Sequence, residues 1–163
     1  MCSPIGTPPP STPEARVPPS GESLAVDAVR ALARASRLLE RASGELNLAH
    51  YRVLSAIASG DQRASRIAAR LAIGKPTVSA TVEALCHRGL LVRSRGADDQ
   101  RVDVLCLTPE GETVLQRVEA AMVERITDLG RRTPQGEQLL QSLVWMGAAI
   151  DEVVAQRHRP ARP

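Results

Sequence analysis

Between residues 64 and 108 the chain reads ASRIAARLAIGKPTVSATVEALCHRGLLVRSRGADDQRVDVLCLT. Two short helical patterns are separated there by three residues and followed at once by a hairpin pattern, an order that few folds accommodate. In the first pattern, Ala64–Leu71, the residues Ile67, Ala68 and Leu71 stand at i, i+1 and i+4 and put one apolar stripe inward. Arg63, Arg66 and Arg70 fall largely on the outer side. Ala72 to Gly74 interrupt the period, and Lys75, Pro76 and Thr77 restart it. Gly74 is a tolerable N-cap, and Pro76 suits a first turn whose N–H groups have no partner within the helix.

The second helix is expected to run to about His87. Val78, Val82 and Leu85 recur at i, i+4 and i+7 as its buried face, which turns Lys75, Pro76, Thr77, Ser79, Ala80 and Glu83 outward. The middle of that outward set is small and uncharged. Small hydroxyl side chains let a helix lie close to base edges in a major groove, where Ser and Thr bond donors or acceptors and a methyl touches thymine. Gly89 ends the helix as a C′ residue. Leu90 to Val92 then read as a strand, Arg93 to Arg101 as a basic, turn-rich tip, and Val102 to Leu107 as the returning strand. A hairpin with arginines at its tip, placed directly after two such helices, has the form of a wing.

Charge agrees with a polyanionic partner. The chain carries a formal net charge of +3, yet residues 60 to 101 hold eight basic side chains (Arg63, Arg66, Arg70, Lys75, Arg88, Arg93, Arg95, Arg101) against four acids (Asp61, Glu83, Asp98, Asp99). That local excess of four leaves the remainder near −1. A basic patch confined to one segment is the footprint of phosphate contacts, which release condensed counterions. The same face also suits an acidic protein partner, so a winged-helix protein-interaction module is the competing reading.

With aromatics at 1% and no Phe, the core has to be Leu, Val, Ile and Ala, which favours close-packed helices. The expected fold is mainly α with a small two- to three-stranded β wing: a winged helix-turn-helix carrying N- and C-terminal dimerisation helices. Its parts are a disordered proline-rich tail (1–22), an N-terminal dimerisation helix (23–46), the DNA-binding lobe (47–108), C-terminal dimerisation helices (109–156) and a flexible tail (157–163). Seven of the twelve prolines lie in residues 1–22, and the stretch is too poor in large apolar residues to offset the entropy of ordering. Ser23 caps a helix from Leu24 to about Ser43, with a stripe of Leu24, Ala28, Leu32, Ala35, Leu39 and Ala42. Asn47 caps the next, whose buried face is Leu48, Tyr51, Leu54 and Ile57. Thr108, Pro109 and Glu110 are a cap, an N1 proline and an early acid, and open a helix to about Leu129. Thr133 and Pro134 repeat that signal for a last helix carrying Leu139, Leu140, Leu143, Met146, Ile150 and Val153. These terminal helices hold more apolar length than a small winged lobe can cover. Burial against a second copy is the better solution, because a C2 dimer sets two helices about one DNA turn apart over a pseudo-palindrome.

The residues LNLAHYRVLSAIA and RIAARLAIGKPTVSATVEALCHRGLLVRSRGADDQRVDVLCLTPEG resemble the MarR family of bacterial winged-helix regulators over roughly residues 24 to 155. KPTVS, RGLLVR, the D-x-R of Asp99 to Arg101 and LTPEG carry the resemblance, and it is their order and spacing together that make it strong. The resemblance implies a homodimeric, sequence-specific transcriptional regulator, a repressor on a pseudo-palindromic operator. It also implies that Arg101 serves the minor groove or its phosphates while Asp99 holds loop or arginine. The expected DNA-contacting set is Arg63, Arg66, Lys75, Pro76, Thr77, Ser79, Ala80, Arg95, Asp99 and Arg101. Regulators of this family often answer to a small aromatic or phenolic effector, for which His50, Tyr51, Arg34 and Arg37 are the nearby polar side chains; the residues themselves fix no such site.

Some relatives sense oxidants through a thiol in the first helix, where this chain has no cysteine. Cys86 beside Leu85, and Cys106 alternating with Val104 and Val102, read instead as core thiols. No enzyme is expected: Cys86 and His87 point about 100° apart on a helix and cannot act as nucleophile and base. Neither a metal nor a cofactor is expected. Three cysteines without C-x-x-C spacing, no secretory run and no long apolar stretch point to a cytoplasmic chain.

Overall fold

The computed structural model describes residues 21–95 and 103–157. The proline-rich tail before Gly21, the wing tip with Asp99 and Arg101, the side chain of Arg95 and the C-terminal tail lie outside the described residues. Among the described residues, six helices and two strands follow in the order α1 (Gly21–Ala42), α2 (Leu48–Ala58), α3 (Ala64–Leu71), α4 (Lys75–His87), β1 (Leu91–Arg95), β2 (Asp103–Leu107), α5 (Pro109–Arg131) and α6 (Gly136–Arg157). The architecture is mainly α with a two-stranded antiparallel hairpin, a winged helix-turn-helix.

The chain divides into two compact units, one ending at Arg34 and one beginning at Ala35. The described part of the first is the N-terminal stretch of α1, where Leu24, Val26, Val29 and Leu32 are exposed and Arg30 pairs with Asp27 at 3.3 Å. No residue of the expected apolar stripe is fully buried in α1. In the second unit, Leu39 and Ala42 pack partly against the core.

That core is aliphatic, as the shortage of aromatics requires: Leu46, Leu54, Ile67, Leu85 and Leu91 are the largest fully buried side chains, joined by Val53, Val78, Val82 and Val114. Burying a Leu or Ile stabilises by roughly 1.5–3 kcal/mol each relative to exposure. The α2 helix starts where Asn47 Oδ1 accepts the His50 N–H at 2.8 Å. Its buried set, Val53, Leu54, Ala56 and Ile57, differs from the expected stripe: Leu48 and Tyr51 are only half-buried. The helix packs against α3, α4, β2 and α5, so it is covered on more than the single face a surface helix would present.

The hairpin pairs Leu91 with Leu107 and Arg95 with Asp103, with Leu91 and Leu105 buried on its inner face and Val92 on the outer. A third strand is absent among the described residues. In its place, Leu105 N–H donates to the Gln62 carbonyl at 2.8 Å and fastens the hairpin to the α2–α3 connection. The Thr108 hydroxyl accepts the Gly111 N–H at 3.0 Å as α5's cap and donates to the Gly89 carbonyl at 2.6 Å. One side chain therefore ties the start of α5 to the exit of α4. A Cβ on Gly111 would lie 2.1 Å from the Leu90 carbonyl oxygen, so the approach of α5 to that exit needs glycine.

The expected cap at Thr133 and Pro134 is not one. Thr133 closes the end of α5, its hydroxyl donating to the Leu129 carbonyl at 2.8 Å, and α6 starts at Gly136 after Gln135 with φ +57°. Gly136 rests against Gly130, where a Cβ would come within 1.9 Å of the carbonyl oxygen. Helix α6 packs on α5 and α3 yet has no buried residue from Gly136 to Gln156. The apolar stripe Leu139, Met146, Ile150 and Val153 is exposed, as are Val144 and Trp145.

Candidate nucleic-acid interface

The turn between α3 and α4 is built on Ala72, whose φ of +52° places it in the left-handed region as the C-cap of α3. Its N–H reaches the Ala69 carbonyl at 3.2 Å, and the Ile73 N–H reaches that of Ala68 at 3.1 Å. An L-residue pays for this conformation, and replacing Ala72 by glycine should raise stability by about 1 kcal/mol, read as a higher denaturation midpoint. A midpoint unchanged or lowered would contradict the left-handed turn.

Gly74, extended at φ −64° and ψ 142°, caps α4 without a side-chain hydrogen bond. Among the described residues no side chain closes the first turn, and its N–H groups stay available to solvent or an anion. Val78, Val82 and Leu85 anchor α4 in the core at 0%, 1% and 0% exposure. Thr81, which the sequence pattern did not single out, also lies on the inner side, its hydroxyl bonded to the Thr77 carbonyl at 2.9 Å. The opposite side exposes Lys75, Pro76, Thr77, Ser79, Ala80 and Glu83, the set expected from the periodicity.

Arg63 and Arg66 are exposed on α3 and its N-cap, and Arg63 makes no side-chain cap. Neither they nor Lys75 enter an ion pair among the described residues, so all three charges remain open to a phosphate. Arg70 differs: its guanidinium bonds Asp61 at 3.0 Å and is spent on the α2–α3 turn. Of the ten residues expected to meet DNA, the structure brings Arg63, Arg66, Lys75, Pro76, Thr77, Ser79 and Ala80 onto the exposed surface of one helix-turn-helix. The side chains of Arg95, Asp99 and Arg101 lie outside the described residues.

The polar side chains named in connection with an effector, His50, Tyr51, Arg34 and Arg37, each have their own surroundings. Tyr51 is half-buried with its hydroxyl 3.4 Å from Glu119, and burial together with that carboxylate raises its pKa above 10.0. Arg37 pairs with Glu40 at 2.9 Å, and His50 lies 3.3 Å from Arg88. Arg34 is exposed at the end of the other unit. Cys86 and Cys106 are half-buried free thiols, Cys86 against the core.

The MarR family model matches residues 45–102, which span α2, the helix-turn-helix and the first strand of the wing. Over these residues the chain is similar to the MarR family. No curated protein sequence matches the chain. Among solved structures, the chain is similar to the transcriptional repressor CouR bound to a 23-mer DNA duplex, at 29% identity and a TM-score of 0.65, over 79% of this chain and 92% of that one. PcaV from Streptomyces coelicolor, solved with its natural ligand, is 23% identical with a TM-score of 0.62, over 82% of this chain and 96% of its own. BpsR from Bordetella bronchiseptica, whose DNA binding is regulated by 6-hydroxynicotinic acid, is 23% identical at a TM-score of 0.61, over 81% and 98%. The last two share the fold.

Proposed function

We propose that the chain is a sequence-specific DNA-binding regulator of transcription that acts as a homodimeric repressor on a pseudo-palindromic operator. One observation carries this reading: within a MarR-family lobe, a core-anchored helix presents Lys75, Pro76, Thr77, Ser79 and Ala80 beside the unpaired cations Arg63 and Arg66. In the proposal, Thr77 and Ser79 read base edges, Pro76 and Ala80 give apolar contact, and Arg63, Arg66 and Lys75 meet phosphates. Arg95 and Arg101 serve the wing, with Asp99 holding Arg101. A repressor of 29% identity solved on a DNA duplex supports the same reading.

The homodimer is supported by the apolar faces that the single chain leaves open, Leu139, Met146, Ile150 and Val153 on α6 and Leu24, Val29 and Leu32 on α1. Release by a small aromatic or phenolic effector belongs to the proposal as well, since PcaV was solved with its natural ligand and BpsR answers to 6-hydroxynicotinic acid. No catalytic role is proposed. No helix among the described residues is long and apolar enough to cross a membrane, and the proposed place of action is the cytoplasm of a bacterium.

Selection of bound duplexes from a random pool tests the reading directly, with two inverted half-sites about ten base pairs apart as the expected product. On the selected duplex, Arg66→Ala should weaken binding to all sequences alike and reduce the salt slope by about 1. Thr77→Ala should cost roughly tenfold in preference at one base pair per half-site and leave the slope alone. Equal effects from the two variants would show the roles to be misassigned. An acidic protein partner docking on the same face predicts instead no enrichment of any sequence.

A further inference from the structure

Arg88 follows the last residue of α4 and borders a cleft of about 480 Å³ lined also by Glu40, Glu45, Asn47, Leu48 and His50. Its Nη2 donates to the Glu45 carbonyl at 3.3 Å, and its Nη1 stands 3.3 Å from Nδ1 of His50. The Glu45 carboxylate is paired in turn with Arg117 of α5. We propose that Arg88 is a positioning residue for the DNA-reading face, tying the C-terminal end of α4 to the α1–α2 corner through His50, and that protonation of the His50 imidazole releases this tie. The inference rests on the chain being a DNA-binding regulator.

A guanidinium has N–H donors and no acceptor, so the contact exists only when Nδ1 of His50 offers its lone pair. The imidazole must then be neutral, with its proton on Nε2. Protonation removes the acceptor and sets two cations against each other. The charged groups around His50 do not compensate. Glu40, at the end of α1, is engaged with Arg37 at 2.9 Å, Glu45 at the corner is engaged with Arg117, and α4 contributes Arg88 itself. Burial first, and the Arg88 charge second, hold the imidazole below its ordinary value of 6.5. A base with a lowered folded-state pKa is neutral at and above that ordinary value. The tie is therefore complete at neutral pH and is lost as pH falls below 6.5 through the lowered value.

The consequence for DNA follows from how α4 is held. Val78, Val82 and Leu85 fix one side of the helix, and rotation about that stripe is limited at its C-terminal end by Arg88. A small rotation leaves long cations such as Arg66 and Lys75 in reach of phosphates. It displaces Thr77 and Ser79 from base edges. Acid should therefore lower the preference for the operator more than the affinity for DNA in general.

Two measurements on the full chain test this. The first needs no DNA: an NMR titration of the His50 imidazole, assigned with the His50→Gln variant, should give an apparent pKa below 6.5 that rises when Arg88 is replaced by alanine. An unchanged titration in Arg88→Ala would overturn the proposal. The second measures the ratio of affinities for the selected operator and a shuffled duplex at about pH 7.5 and about pH 5.5, at constant ionic strength. Wild type should lose roughly two- to tenfold of that ratio in acid, the range expected for one lost hydrogen bond. Asn at position 50 keeps an oxygen acceptor at the place of Nδ1 and does not titrate, so His50→Asn should show a ratio independent of pH. His50→Ala should show the lowered ratio at both. An acid loss in His50→Asn equal to that of wild type would assign the effect to another group and overturn the proposal. If wild type prefers no duplex at neutral pH, the regulator reading itself fails, and the imidazole titration keeps the two failures apart.

Discussion

Gly111→Ala should lower stability by about 3 kcal/mol, the upper end of what overpacking usually costs, because the new Cβ meets backbone that cannot swing aside. The atom would fall 2.1 Å from the Leu90 carbonyl oxygen and 3.0 Å from its carbon. Accommodation means pulling α5 off the exit of α4, which strains the Thr108 bonds to Gly89 and Gly111 as well. Thermal unfolding followed by circular dichroism should show a midpoint roughly 6–12 °C lower in a chain of this size. Gly89→Ala is the control. Gly89 has φ +70° but open space around its missing Cβ, so its substitution should cost only about 1 kcal/mol. Equal midpoints for the two variants would contradict the close approach of α5.

The second large effect concerns assembly. Met146 and Ile150 are 38% and 53% exposed on α6, in line with Leu139 and Val153. In the proposed dimer this stripe is buried, and a carboxylate placed there is expensive to desolvate. The double substitution Met146→Glu and Ile150→Glu should yield monomers by sedimentation at concentrations where wild type is dimeric. Affinity for a two-half-site operator should fall roughly a hundred- to ten-thousandfold, the span set by losing the linked second half-site. Binding to an isolated half-site should be nearly untouched, because these side chains lie outside the lobe that carries the proposed DNA-reading face. A dimer that persists, or equal losses on full and half operators, would exclude the α6 stripe from the interface.

The parts of this molecule that were legible in the sequence are those whose causes are local. Val78, Val82 and Leu85 are buried where their period says, and Asn47 and Thr108 cap helices where their side chains and neighbours say. The outward face of α4 follows from the same period, so most of the described candidate surface is legible in the sequence. What escaped was set by distant contact or by backbone. Nothing in the local pattern marks Ala72 as the residue that takes the left-handed turn. Thr133 and Pro134 look like a helix start, yet the hydroxyl of Thr133 finds the last turn of α5 first. Gly111 stands in the LTPEG motif and Gly136 in no motif, and each shows its purpose only when the backbone it touches is in view. Arg70 reads as one more outward cation until Asp61 is seen to hold it, and Arg88 reads as one until His50 and Glu45 are. The wing side chains Arg95, Asp99 and Arg101 rest on the sequence pattern.

Fluorescence titration of the selected operator and a shuffled duplex of equal length, at two salt concentrations, tests the central claim most directly. The account predicts salt-sensitive binding to the operator with a preference of about 1000-fold or more over the shuffled duplex at physiological salt. Equal, weak binding to both duplexes would contradict it and leave the basic face of α3 and α4 to an acidic protein.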